Sequence, residues 1–151
     1  MDEVKKWLTQ MQRWCSVKEY CKHDILEKLN KSNLNQEDKI KIMDELVQHN
    51  YINESRFVKA FIHDKLYLSK WGITKIKYAL MQKEINPELY QDVLEEIDED
   101  QYIQTFLSLA QSKWKSLKET DPYLRKHKLI RYLIGRGVEY EIAEKIQRLL
   151  E

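Results

Sequence analysis

Three observations predict an all-α chain. Its 151 residues include only three glycines and two prolines, too few for the tight turns a β protein needs every few residues. Its abundant residues, Lys, Glu, Leu, Ile and Gln, are mostly good helix formers. Its apolar residues recur at i, i+3, i+4 and i+7, the period of a helix with one buried face. A hydrophobic content of 42% can supply a core, and a charge content of 34% at a formal net charge of +1 sets the chain apart from one-signed disordered tails.

The elements follow in order. Val4, Trp7, Leu8, Met11, Trp14 and Cys15 form an apolar stripe that predicts a helix over 2–15. In "SVKE", Ser16 and Glu19 have capping-box spacing, each side chain able to satisfy a free amide, which starts a second helix over 16–31. A third is expected over 36–49. Asn53 is a candidate N-cap for a helix over 54–70, and Trp71 with Gly72 makes the turn into 73–83. Asn86 before Pro87 and Asp121 before Pro122 open helices over 87–97 and 122–135, because the missing proline N–H costs nothing in a first turn. Helices over 99–118 and 139–150 complete the set. Phe57, Phe61 and Leu68 mark a core side on 54–70. Asp64 lies near that side and is expected to be a buried or half-buried partner of Lys65 or a neighbouring arginine. Trp7, Trp14, Tyr78, Phe106 and Tyr132 are expected in the core.

An internal repeat organises these helices. Ile25, Leu29, Leu34, Ile42 and Leu46 match Ile76, Leu80, Ile85, Val93 and Ile97 after a shift of 51, and Leu129, Leu133, Val138, Ile146 and Leu150 after a further 53. Phe57 and Phe61 likewise match Tyr102 and Phe106. Three tandem three-helix repeats are expected, over 1–50, 51–98 and 99–151, each covering its neighbour's apolar face in an elongated, curved, right-angle-free rod. Asn33, Glu84 and Gly137 share one repeat position, just past the second helix, where a left-handed residue is usual. Asn33 and Gly137 suit it; Glu84 departs, so its helix is expected to end differently.

Several functions are excluded. No run of 18 apolar residues exists to span a membrane. The opening "MDEVKKWLTQM" has no apolar signal segment, and two cysteines are too few for a disulfide framework, so a cytoplasmic location is expected. His23, His49, His63 and His127 form no HExxH or HxH pair. Cys15 and Cys21 are six apart, a poor zinc spacing, and "GRGV" is a helix stop, not a phosphate loop. No catalytic residue, metal or cofactor is expected.

Charge is segregated instead. Arg56, Lys59, Lys65, Lys70, Lys75, Lys77 and Lys83 crowd one stretch, followed by Glu84, Glu88, Asp92, Glu95, Glu96, Asp98, Glu99 and Asp100 with no cation between. On a helix, Arg56, Lys59, His63 and Lys70 fall within about 60° of each other, opposite the phenylalanines. Tyr67 sits beside that stripe. The third repeat carries Arg125, Lys126, Lys128 and Arg131 on its second helix, with Arg136 after it. In a stacked rod these cations are expected to align along one flank, a shape and polarity suited to a polyanion or a complementary partner. Trp71 and Tyr67 are the aromatic residues open to a direct contact.

"NYINESRFVKAFIHDKLYLSKWGITKIKYALMQKEI", Asn50 to Ile85, resembles the signature of the RecX regulatory family. Tyr51, Ile52, Asn53, Glu54, Arg56, Phe57, Phe61, Lys65, Leu66, Trp71, Gly72, Lys75, Ile76, Leu80, Lys83 and Ile85 fill its pattern. "KLIRYLIGRGV", Lys128 to Val138, is similar to the family's closing repeat. Asn50 stands where glycine is usual, and Glu84 where Lys-Gly-Ile is expected. The resemblance implies three three-helix repeats that bind the RecA recombinase, lodge in the groove of its filament on single-stranded DNA, and curb its ATPase, strand-exchange and coprotease activities. Contacts are then expected from Arg56, Lys59, Lys65, Lys70, Trp71, Lys75, Lys77, Lys126, Lys128 and Arg131. The partner is the RecA filament, with single-stranded DNA contacted indirectly or weakly, and the protein acts as a monomer. The alternatives are a stand-alone DNA-binding module and a helical-repeat scaffold for an unrelated protein.

Overall fold

In the computed structural model, which describes residues 2–151, nine α-helices and no strand occur among the described residues. They are α1 (Glu3–Val17), α2 (Lys22–Leu29), α3 (Gln36–Gln48), α4 (Glu54–His63), α5 (Ile73–Gln82), α6 (Gln91–Glu95), α7 (Glu99–Ser116), α8 (Pro122–Gly135) and α9 (Tyr140–Leu150). Met1, the first residue of the expected 1–50 repeat, lies outside the described residues. None of the fifteen repeat-matched apolar residues is exposed. Eleven are buried, and Leu34, Val93, Ile97 and Leu150 are half-buried. No helix among the described residues is long and apolar enough to cross a membrane.

The chain divides into two compact units, Met1–Ala60 with Met81–Tyr90 and Phe61–Leu80 with Gln91–Glu151. In the first, Met11, Ile25, Leu29, Ile42, Leu46 and Ile52 form a buried cluster that Trp7, Leu8 and Trp14 cover. The capping box at Ser16 does not form. Ser16 Oγ donates back to the Gln12 carbonyl at 2.8 Å, which suits a helix interior, so α1 runs on to Val17. Glu19 is occupied by Arg56, and α2 starts only at Lys22, with Cys21 as an N-cap whose side chain makes no capping hydrogen bond.

In the second unit the buried residues include Leu66, Ile76, Tyr102, Phe106, Leu129, Leu133, Val138 and Ile146. α7, α8 and α9 pack on one another there. The start of α5 is docked onto the α8–α9 turn. Gly72 N–H donates to the Arg136 carbonyl at 2.7 Å, and Thr74 N–H to the Gly137 carbonyl at 3.0 Å. Between them, Ile73 N–H donates to Tyr102 Oη at 2.9 Å, and that hydroxyl donates onward to Glu139 at 2.7 Å. Burial and the adjoining carboxylate push the Tyr102 phenol well above its ordinary range.

The expected helix over 54–70 is corrected in a way that matters for the site. After His63 the chain passes into a π-helical turn, Asp64–Leu68, which holds one more residue per turn than an α-helix. Leu66 is fully buried, whereas Leu68 is 75% exposed. Asp64 is exposed beside His63 and pairs with neither Lys65 nor an arginine among the described residues. Lys70 is not on the helix at all: it adopts a left-handed φ of 55° and closes it. Residues 87–89 likewise form a 3₁₀ turn ahead of the short α6. Glu84, the expected exception, is left-handed with φ 57°, as Gly137 is with φ 94°, while Asn33 is not among the positive-φ residues. The Asn53, Asn86 and Asp121 caps form as expected. Tyr78, expected in the core, is 62% exposed.

Candidate functional site

The ten candidate contact residues separate by whether their charge already has a partner in the chain. Arg56, at the start of α4, has one. Its Nε donates to both carboxylate oxygens of Glu19, at 3.1 and 2.9 Å, and its Nη2 donates to the Asn50 carbonyl at 2.9 Å. This fork ties α4 to the α1–α2 connection and to the left-handed Asn50, so a structural role accounts for its donors. Lys59, on the same helix, is exposed and has no carboxylate partner among the described residues.

In the second unit, the π turn and the Lys70 reversal fold the chain back on itself. Trp71 N–H donates to the Lys65 carbonyl at 2.8 Å. Arg136 fastens the bend: its Nη2 donates to the Ser69 carbonyl at 2.8 Å and its Nε to the Lys70 carbonyl at 3.0 Å. Arg136 is therefore a helix-end cap rather than one more surface cation. The bend brings the half-buried Trp71 indole against Lys65, whose Nζ lies over the ring 4.6 Å from its centroid. Lys75, in the first turn of α5, places its Nζ 4.5 Å from the same centroid. Lys65 also lies over Phe61 at 5.6 Å. Neither ammonium has a carboxylate partner among the described residues. Each such contact is worth about 0.5–1 kcal/mol at an exposed site. Two positive charges thus share one aromatic ring with no counter-charge, leaving a local positive potential open to an anion.

The remaining candidates are placed as follows. Lys77 is exposed on α5, on the face that also carries Thr74 and the exposed Tyr78. On α8, Lys126 is half-buried and Arg131 exposed, neither with a carboxylate partner among the described residues. Lys128 is engaged by Glu119. Hydrogen bonding to Lys128 holds the Glu119 carboxyl below its ordinary range, so that charge is compensated. The structure thus gathers Lys65, Trp71 and Lys75 and neutralises Arg56 and Lys128 internally. Sequence reasoning misses the Arg136 cap and the Tyr102 relay. The signals available for them, a cation within "GRGV" and a tyrosine at a repeat position filled elsewhere by Phe57, identify neither partner.

No group of three or more His, Cys, Asp or Glu side chains among the described residues converges as a metal site would need. Cys15 is half-buried and Cys21 fully buried.

Comparison with known proteins adds an independent line. Residues 53–94 match the family model described as RecX, second three-helix domain, and residues 99–146 match RecX, third three-helix domain. Among similar proteins, the regulatory protein RecX of Clostridium botulinum (strain Eklund 17B) is 32% identical over 124 residues, covering 81% of this chain and 58% of that protein. The regulatory protein RecX of Clostridium perfringens (strain 13) is 34% identical over 118 residues, covering 76% and 55%. That of Acinetobacter baylyi is 31% identical over 134 residues, covering 89% and 81%. The chain therefore spans little more than half the length of the clostridial relatives. The crystal structure of RecX from Lactobacillus salivarius superposes with a TM-score of 0.83 at 18% identity, covering 97% of this chain and 96% of that one. A second crystal structure of regulatory protein RecX gives 0.84 at 19% identity, covering 97% and 72%. At these identities the structures speak for the fold.

Proposed function

Because this chain belongs to the RecX family of regulatory proteins, we propose that it binds the RecA filament on single-stranded DNA, within its helical groove, and restrains recombination and repair activity without catalysing a reaction itself. The activities restrained are the filament's ATPase, strand exchange and coprotease functions. The observation that supports this reading most directly is the uncompensated Lys65–Trp71–Lys75 cluster, which lies inside the matched second domain. In this reading the three repeats span 1–50, 51–98 and 99–151, and Lys65, Lys75 and Lys77 contribute to the contact. The protein acts as a monomer in the cytoplasm, where the filament forms.

The same cluster favours one other reading, a stand-alone DNA-binding module. RecA ATPase measured on single-stranded DNA, with and without this protein, separates the two. The filament reading expects hydrolysis to fall at protein concentrations too low to coat bare DNA. The DNA-module reading expects tight binding to bare DNA, with any fall in ATPase only as RecA is displaced. An unchanged ATPase at saturating protein removes the filament reading.

A further inference from the structure

Trp71 is the aromatic residue that Lys65 and Lys75 share, and its placement decides how the site reads a ligand. An indole that stacks a nucleobase needs a free ring face. Here two ammoniums lie over the ring, 4.6 and 4.5 Å from its centroid, in the space a base would occupy. The ring is also only half-exposed, on a residue whose main-chain N–H is held by the Lys65 carbonyl. Like charges on flexible four-carbon stems would otherwise spread apart into solvent; the electron-rich ring face opposes that.

We propose that Trp71 is a positioning residue: its indole holds Lys65 and Lys75 as a paired cationic clamp for the phosphates of a single strand, which is read by charge and not by base stacking. This rests on the filament-binding reading above. The cluster contains only lysines, compact charges with three rotatable donors each, which suit phosphate oxygens from several directions. The flat carboxylate-matching fork beside the cluster, Arg136, is otherwise engaged on the Ser69 and Lys70 carbonyls. A phosphodiester backbone therefore fits the clamp better than an acidic protein surface.

The test titrates the full-length protein with three probes across a salt series: oligo(dT), linear inorganic polyphosphate, and poly-glutamate. The variants are Trp71→Leu, Trp71→Phe, and Lys65→Gln/Lys75→Gln with the indole kept. Circular dichroism confirms that each is folded. The expected result is that Trp71→Leu weakens oligo(dT) and polyphosphate equally, by roughly two- to fivefold, while Trp71→Phe retains most of the affinity. The double glutamine variant should lower the log–log salt slope by roughly 0.7 per lysine on the single strand. Four results overturn the proposal. In one, folded Trp71→Leu loses oligo(dT) affinity but keeps polyphosphate affinity. In another, the double variant keeps the parent's salt slope on oligo(dT). In a third, the parent binds poly-glutamate as tightly as polyphosphate. In the last, the parent binds neither phosphate probe while still lowering RecA ATPase, which sinks the clamp and leaves the proposed function standing.

Discussion

Gly72 and Gly137 meet backbone to backbone. A Cβ placed on Gly72 would lie 2.2 Å from the Gly137 carbonyl carbon and 2.3 Å from Val138 N, and one on Gly137 would lie 2.4 Å from Lys75 Cβ. The atoms in the way at Gly72 are main chain, which cannot turn aside, so only a residue without a side chain fits there. This contact seats α5 on the α8–α9 turn and so places Lys75.

Gly72→Ala is therefore expected to destabilise the protein by about 3 kcal/mol, at the upper end of what overpacking costs. Gly135→Ala is its control, because a Cβ there meets nothing within 4 Å. Urea denaturation of the pair should show a large loss for the first and almost none for the second.

Glu84 closes α5 with φ 57°, a conformation that crowds its Cβ. Replacing it with glycine removes a strain of about 1–2 kcal/mol, partly offset by the greater freedom of glycine in the unfolded chain. Glu84→Gly should raise the midpoint of thermal unfolding, with a net gain of about 1 kcal/mol. An unchanged or lower midpoint would mean that the Glu84 side chain contributes contacts of its own.

Tyr102 accepts from the Ile73 amide and donates to Glu139. Tyr102→Phe keeps the ring against Phe106, 5.2 Å away centroid to centroid, but strips both bonds. The loss should be about 1–3 kcal/mol, because the amide and carboxylate are left unmatched. Hydrogen exchange should quicken most at the Ile73 amide.

Among the cations, structural and binding roles should come apart. Arg56→Ala breaks the Glu19 fork and should lower the unfolding midpoint while changing the salt dependence of filament binding little. Lys75→Glu with Lys77→Glu should do the reverse, weakening filament binding with only the small loss of stability that the Lys75–Trp71 contact carries. Their contribution should appear as roughly 0.7 of a unit of log–log salt slope for each phosphate they neutralise in the parent.

Burial pushes the Cys21 thiol up to about 12. The folded state therefore holds its proton where the unfolded thiol, near its ordinary value, releases it. The stabilisation is fully present below about pH 8.5 and is lost as pH rises toward 12. Thiol labelling at pH 8 should modify Cys21 only at the rate of unfolding, and Cys21→Ala should flatten the alkaline fall in stability.

Much of this fold is legible in the sequence because helical periodicity and N-caps are local signals. The spacing of Ile76 and Leu80, or the Asp121–Pro122 pair, can be read without knowing what lies across the core. The π turn is not legible that way. Its five residues look like any helical stretch, and the added residue turns Leu68 outward relative to an unbroken α-helix. The Trp71 cluster is half legible. Lys65, Trp71 and Lys75 are recognisable as a cationic aromatic stretch, but their convergence depends on the Lys70 reversal and on Arg136, 66 residues further along. The Gly72–Gly137 approach is a tertiary fact with no local signal beyond the presence of a glycine.

At the start of α5, the amides of Gly72, Ile73 and Thr74 are all given to partners inside the fold, so the partial positive charge of that helix end is turned inward. The field outside then comes from lysine side chains, Lys65 and Lys75 at the cluster itself. Acetylating those two amines would remove the cluster's own charge with the helix left whole, which makes this spot electrically silenceable by a modification too small to unfold anything.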